Sequence, residues 1–345
     1  MSNARAEFVQ RMQCINCHGS ALRTLSSGSF LEGTIYEVLL NDPWGENPLP
    51  YLEGHHWIFV QCEDCDQKFH RDILSPEWCE IKYTRWITEE AIRVCLKSVS
   101  TPGALYLTAV ENTRHVLRLE LLTRTLREPD SAVRILDFGC GHGEFLATCS
   151  QFGFDAYGVD RAAAKRANSK FARVYPELGE LSAAIGDDKF HVITLFETLE
   201  HVDDPRSILE ALGKLIVPGG ILVLETPDCA GVTHITREDS WKIQPLEHIN
   251  AFTADTLRSI AQRCGFLPLK RPVAHVTTSR VKLLKAEVRG AANALGAMIS
   301  TQQYFQKGMP RPASRARLGI VHSADGRCPG RTAPPSGPLA VQPVV

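Results

Sequence analysis

The chain has 345 residues, 44% of them apolar, enough for one large domain or two of ordinary size with a substantial buried core. Its 38 basic and 39 acidic side chains leave a formal net charge of -1, so no overall field draws it onto nucleic acid or an anionic membrane. No stretch nears the roughly 18 consecutive apolar residues of a spanning helix, and the start, MSNARAEFVQRMQC, lacks the apolar centre of a signal peptide; the expectation is a soluble, cytoplasmic protein with no membrane partner.

Residues 1–101 are rich in Cys, His, Trp and turn formers such as NDPWGENPLP, and show little sustained periodicity, which predicts a small, loop-rich module. Of the 11 cysteines, Cys14 and Cys17 form one CxxC pair (CINC) and Cys62 and Cys65 another (CEDC). A two-residue spacer lets both thiolates of a knuckle face one ion, and two knuckles complete the tetrahedron that zinc accepts. Four thiolates leave no open position for catalytic water, so the expected metal is a structural zinc in a zinc-ribbon-like module. His18 and His70 lie close enough in sequence to substitute as ligands.

Residues 102–308 alternate short apolar runs with amphipathic patterns, the signature of parallel strands joined by crossover helices. A helix is expected over 104–126, strands over 134–138, 156–159, 192–196 and 221–225, and helices over 143–152, 161–170 and 205–216. A weaker strand is expected over 172–175, followed by a short connection containing PELGELSAA. Beyond a polar loop come a helix over 254–264, a strand over 266–269, a helix over 281–298 and a last strand over 302–306, for a sheet of about seven strands. Residues 309–345, dense in Pro, Gly, Arg and Ser, read as a disordered tail.

The stretch ILDFGCGHGEFL follows a strand, opens with Asp137, and carries Gly139, Gly141 and Gly143 into a helix, so the backbone can turn tightly and approach a ligand closely. The dinucleotide spacing GxGxxG fails, because its third glycine falls on Glu144 or on Leu146. Glu144 also puts negative charge where a phosphate would seek the positive helix end. Asp160 ends the next strand, about 20 residues on, where a carboxylate can accept from both hydroxyls of a ribose. The pocket therefore asks for a nucleoside without phosphate.

These residues resemble the first motif of class I S-adenosylmethionine-dependent methyltransferases, and the resemblance continues through KFHVITLFETLEHVDDP, LIVPGGILVLETPD and LEHINAFTADTLRSIAQRCGF. It implies an α/β, Rossmann-like fold: a mainly parallel seven-stranded sheet with helices on both faces, preceded by the zinc-ribbon-like module. It further implies S-adenosylmethionine as cofactor, with Asp137 orienting the methionine amino group, Gly139 and Gly141 facing the methionine portion, Asp160 holding the ribose, and Phe196 and Glu197 bordering the methionyl side. The CxxC pairs joined to such a domain resemble bacterial methyltransferases of small molecules and sugars.

Methyl transfer from a sulfonium is an in-line displacement, so the protein chiefly aligns the acceptor and, for a hydroxyl, supplies a base. His201 in LEHVDDP and His248 in LEHINAFT are the candidates, each preceded by a glutamate, Glu200 and Glu247, and each also readable as a structural histidine bonded to loop backbone. The expected activity is methyl transfer to a small molecule or sugar, at oxygen first and at carbon or nitrogen as alternatives. A nucleic-acid methyltransferase and a catalytically silent scaffold are the competing readings; the first lacks a clustered basic face. Oligomeric state is not legible in the sequence.

Overall fold

The computed structural model describes residues 5–99, 101–126, 131–171, 173–276, 281 and 301–308. The N-terminal part contains β1 (Phe8–Gln10), β2 (Leu22–Ser29), α1 (Gly33–Asn41), β3 (His56–Cys62), β4 (Lys68–His70), β5 (Asp72–Leu74), α2 (Pro76–Ile81), a π-helical turn over Lys82–Trp86 and α3 (Glu89–Val99). The region expected to be loop-rich is thus threaded by regular elements, most of them too short to show a period in sequence. Then follow α4 (Pro102–Thr123), β6 (Arg134–Phe138), α5 (Glu144–Gln151), β7 (Asp155–Val159), α6 (Ala163–Ala167), β8 (Val174–Tyr175), α7 (Leu178–Ile185) and β9 (Phe190–Phe196). The chain continues with α8 (Pro205–Leu215), β10 (Ile216–Glu225), β11 (Asn250–Ala251), α9 (Ala254–Arg263), β12 (Phe266–Leu269) and β13 (Gln303–Lys307).

Seven strands form one sheet in the order β12-β13-β10-β9-β6-β7-β8. Pairing is parallel from β10 through β8, while β13 runs antiparallel to both of its neighbours. Successive strand side chains point to opposite faces, and burial follows that period. Leu136, Ile193, Leu195, Leu222, Leu224 and Phe305 join one apolar cluster with Leu181 of α7, Leu209 of α8 and Leu257 of α9. Ile135, Val192, Ile221, Val223 and Tyr304 join another with Val116 of α4 and Leu146 of α5. Helices therefore cover both faces, which is why the central strands read as continuous apolar runs.

A second sheet, in the order β11-β4-β3-β2, is built from the N-terminal strands and the short β11, which pairs antiparallel with β4. Cys14, Ile15, Val60, Cys62 and Phe69 sit in the same apolar cluster as the sheet face covered by α7, α8 and α9.

The connection expected around PELGELSAA is the helix α7. Leu178, Leu181 and Ile185 fall on one side of it, and Leu181 and Ile185 are buried. Its N-terminal residue Glu177 makes no side-chain cap bond and Gly179 weakens the first turn, so the local signal is poor and packing under the sheet fixes it. The helix expected over 161–170 shortens to α6, and the strand expected over 172–175 shortens to β8. β10 begins at Ile216, ahead of the expected 221, with its register to β9 shifted between Ile216 and Ile221, where Gly219 takes φ +78. The helix expected over 281–298, beyond Val281 itself, and the tail over 309–345 lie outside the described residues.

Candidate functional site

Strand β6 delivers Asp137 to its carboxyl end, and the glycine turn follows. Gly139, Gly141 and Gly143 all have positive φ, at +82, +54 and +71, a region that costs residues with a Cβ about 1–2 kcal/mol. The three differ in their surroundings. A Cβ on Gly139 would lie 2.2 Å from Thr198 Oγ1, and one on Gly143 2.8 Å from Phe171 Cβ, whereas one on Gly141 would meet nothing within 4 Å. Gly141 thus leaves open space on the side that a ligand would occupy.

That space belongs to a cavity of about 300 Å³ at the carboxyl ends of β6, β9 and β10. Its walls include Asp137, Gly139, Gly141, Phe196 and Glu197, all expected from sequence, together with Thr108, Asn112, His115, Cys140, His142, Glu144, Phe145 and Glu225. His115 packs on Phe196 with the rings tilted by 47° and their centroids 4.5 Å apart, and Phe145 meets Phe196 edge-on at 5.0 Å, which fixes the aromatic wall. Thr108, Asn112 and His115 come from α4. They were invisible in sequence because only packing brings this helix over the sheet edge. Glu225 had a signal, since it ends a strand beside the one ending at Phe196.

The cavity is electrostatically incomplete. Asp137 is buried and accepts one hydrogen bond, from Thr194 Oγ1 at 2.7 Å. Burial, with Asp160 nearby, pushes its carboxyl up to about 7. Burial beside Glu225 likewise raises Glu197 to about 7, and Glu225 is raised by burial in turn. Glu197 holds a left-handed backbone, φ +48, with its N–H donating to the Glu225 carbonyl at 2.9 Å, so its position is fixed at some conformational cost. Three carboxyl groups raised together mark a space suited to a ligand carrying positive charge.

Asp160 lies beside the cavity and is not among its lining residues. Its Oδ2 accepts from the Gly141 N–H at 2.8 Å and its Oδ1 from the Ala162 N–H at 2.9 Å, so it pins the glycine turn to the start of α6. Each oxygen keeps a second lone pair for a ligand hydroxyl. Cys140 packs against Gly158, and burial raises its thiol far above the ordinary range, which removes it as a nucleophile.

A second group of side chains gathers beyond β9. The donor atoms of Glu200, His201 and His248 all lie within 4.8 Å of one another, and the two rings meet edge-on at 4.6 Å. His201 Nδ1 is 2.9 Å from the Glu247 carbonyl, which sets Nδ1 as the donor and leaves Nε2 with its lone pair. Neither oxygen of Glu200, nor Nδ1 of His248, has a partner among the described residues. Burial holds both histidines below their ordinary range and Glu200 well above its own. Two neutral imidazoles and an orphaned carboxyl are a donor set that a divalent cation would satisfy. Sequence picked out both histidines, yet their meeting depends on the loop after β10 folding back.

At the amino end, the four cysteine sulfurs also lie within 4.8 Å of one another, with Cys14 to Cys65 and Cys17 to Cys62 at 3.5 Å. Tetrahedral zinc with bonds of about 2.3 Å sets sulfurs about 3.8 Å apart, so the group fits that ion. The knuckles match: His18 and Asp66, each four residues after a first cysteine, take positive φ of 62 and 60. The Asn16 and Gly19 N–H groups donate to Cys14 and Cys17 Sγ, both at 3.4 Å. His70 is committed elsewhere, with Nε2 2.8 Å from the Ile243 carbonyl.

Residues 110–270 match the family model described as a methyltransferase domain. This region is similar to the methyltransferase domains that the model describes. Over 106 residues the chain is 37% identical to a ubiquinone biosynthesis O-methyltransferase of Psychrobacter cryohalolentis, a match spanning 27% of this chain and 40% of that protein. A protein of the same description from Roseobacter denitrificans is 30% identical over 164 residues, 42% of this chain and 64% of its own. The chain thus spans less than two thirds of the length of these curated relatives. Among solved structures, a SAM-dependent methyltransferase from Archaeoglobus fulgidus aligns at 18% identity and a TM-score of 0.33, over 60% of this chain and 100% of that one. The matched region contains the glycine turn, the histidine cluster and every residue lining the cavity except Thr108, while both cysteine knuckles lie outside it. No helix among the described residues is long and apolar enough to cross a membrane.

Proposed function

We propose that the protein transfers a methyl group from S-adenosylmethionine to a hydroxyl oxygen of a small molecule or sugar. The observation that carries this reading is the cavity itself, in which an open glycine face adjoins Asp137 and Glu197, two carboxyl groups lacking cationic partners among its lining residues, and Glu225, which faces His115 at 3.7 Å. S-adenosylmethionine carries two positive charges, an ammonium and a sulfonium, and supplies a methyl group bonded to an excellent leaving group. Asp137, held by Thr194, would accept from the ammonium, Glu197 and Glu225 would border the sulfonium, and Asp160 would receive the ribose hydroxyls with its remaining lone pairs.

Oxygen is favoured as acceptor atom because the curated relatives are described as O-methyltransferases. His201 Nε2 would take the acceptor proton, with Glu200 and His248 beside it; a divalent cation, were one bound, would be held by these same side chains and would supply Lewis-acid activation of a hydroxyl. The four cysteines hold a structural zinc and take no part in the chemistry. We place the work in the cytoplasm, in keeping with thiols held free for metal, and propose neither a membrane nor nucleic acid as partner.

The test is formation of S-adenosylhomocysteine with a panel of phenols, catechols and sugars, with and without added magnesium or manganese. Turnover with at least one hydroxyl acceptor is expected. Failure across the panel, in protein that binds S-adenosylhomocysteine, would refute the enzymatic reading in favour of a silent binding protein.

A further inference from the structure

Arg11 lies three residues before Cys14, outside the methyltransferase region, and carries no catalytic signature. In the structure its guanidinium is the most heavily used side chain in the N-terminal part. Nε donates to the His70 carbonyl at 3.0 Å, Nη1 to the Asp203 carbonyl at 3.3 Å and to Asn250 Oδ1 at 2.7 Å, and Nη2 to the His70 carbonyl at 2.5 Å and the Ile249 carbonyl at 2.8 Å. The planar fork has five N–H groups, and all are engaged. None of these bonds goes to a carboxylate, so the charge serves to gather backbone.

The gathered backbone belongs to the histidine cluster. Ile249 directly follows His248. Asn250 passes the link on, its Nδ2 donating to the Leu199 carbonyl at 3.0 Å and the Val202 carbonyl at 2.7 Å, on either side of Glu200 and His201. The other anchor, His70, ends β4, five residues after Cys65, and its own N–H donates to the Ile249 carbonyl at 2.9 Å. One knuckle therefore begins three residues after Arg11, and the other leads within five residues to the His70 carbonyl that its guanidinium holds.

We propose that Arg11 is a positioning residue that transmits the order of the cysteine metal site to the Glu200, His201 and His248 cluster. This rests on the function proposed above only for its catalytic consequence; the mechanical coupling stands on the bonds just described. Closing the two knuckles on one ion fixes Arg11 against His70, and that pair holds the two loops whose meeting forms the cluster.

The experiment is hydrogen exchange on the full chain, zinc-loaded, as wild type, Arg11→Ala and Arg11→Lys, with binding of S-adenosylhomocysteine by calorimetry alongside. In Arg11→Ala with zinc retained, segments 199–204 and 247–251 are expected to exchange about tenfold faster, the scale of losing one or two net hydrogen bonds, while cofactor affinity stays within about twofold. Methylguanidinium in the buffer should restore protection, which a general loss of packing would not permit. Removing zinc from wild type with a chelator should raise exchange in the same two segments. Wild-type protection there in Arg11→Ala overturns the proposal, as does a chelated protein whose extra exchange is confined to the knuckles. Should Arg11→Ala fail to fold, Arg11→Lys decides: partial loss in the two segments supports the coupling, and full protection overturns it. With an acceptor that turns over, kcat falls in the variants and KM for S-adenosylmethionine holds. If no acceptor turns over even in wild type, the enzymatic reading fails while the exchange data still judge Arg11.

Discussion

Gly139 and Gly141 sit two residues apart in the same turn, and the structure assigns them opposite costs. Alanine at Gly139 meets two penalties: a left-handed backbone at φ +82, about 1–2 kcal/mol, and a Cβ placed 2.2 Å from Thr198 Oγ1 and 2.5 Å from its Cγ2, an overlap on the scale of about 1–3 kcal/mol. The sum is roughly 2–5 kcal/mol of stability. Alanine at Gly141, with φ +54 and no atom within 4 Å of its Cβ, meets only the backbone term. Its methyl group, however, projects into the space that we assign to cofactor. Thermal unfolding and calorimetric titration with S-adenosylhomocysteine separate the two effects. Gly139→Ala should lower the melting temperature well beyond the few degrees expected of Gly141→Ala, at about 2–4 °C per kcal/mol for a domain of this size. Adding Thr198→Ala should recover part of the Gly139→Ala loss, because it removes the two closest atoms. Gly141→Ala should keep most of its stability and lose cofactor affinity by tenfold or more on an order-of-magnitude basis, since one excluded contact of about 1.4 kcal/mol suffices. Wild-type affinity in a folded Gly141→Ala protein would refute the placement of cofactor against this turn.

Five further outcomes are expected. Asp137 and Glu197 are both raised to about 7 by burial, so affinity for S-adenosylmethionine, whose sulfonium leaves it a net cation, should rise between pH 6 and 8 as they ionise, and rise less steeply for S-adenosylhomocysteine; titrations at the two pH values check this. The stability of the ligand-free protein carries the opposite sign, since carboxyls raised on folding contribute fully below about pH 4 and lose that contribution as pH climbs through about 7, which pH-dependent denaturation would reveal. Asp160→Ala should weaken cofactor binding and also cost about 1–2 kcal/mol of stability, because the Gly141 and Ala162 N–H groups lose their acceptor; unchanged binding by titration would exclude it as the ribose ligand. One zinc per chain should appear by elemental analysis and disappear in Cys62→Ser, and metal-free wild-type protein would end the zinc assignment. His201→Ala should lower kcat by about 10²–10⁴ with cofactor affinity unchanged, and an undiminished kcat would identify the imidazole as a loop brace bonded to the Glu247 carbonyl.

Much of the architecture was readable because a doubly covered parallel strand must be apolar on both sides. That requirement wrote the β6, β9 and β10 cores into the sequence as uninterrupted runs, and the glycine turn announced the ligand end of the sheet. Elements without such a requirement were lost or misjudged. α7 lacks a cap bond and exists because Leu181 and Ile185 find a sheet to cover, and the strands β4 and β11 are too short for any period. Within the cavity, residues on the expected strands and turn were found, whereas Thr108, Asn112 and His115 of α4 were not; in the histidine cluster, the orphaned state of Glu200 was likewise hidden.

By itself the sequence determined which chemistry the chain is equipped for: a turn that admits a phosphate-free nucleoside, two cysteine knuckles for one ion, and two histidines in loops at the right end of a sheet. Those are local facts, fixed by spacing along a few residues. Tertiary structure alone decided that the carboxyls of Asp137, Glu197 and Glu225 would share one cavity, and that His201 and His248, 47 positions apart in the numbering, would touch. It also decided that Arg11 would reach across the chain to hold their loops. The physical reason is that burial and charge compensation depend on distance in space, which the order of residues constrains only once the chain has packed.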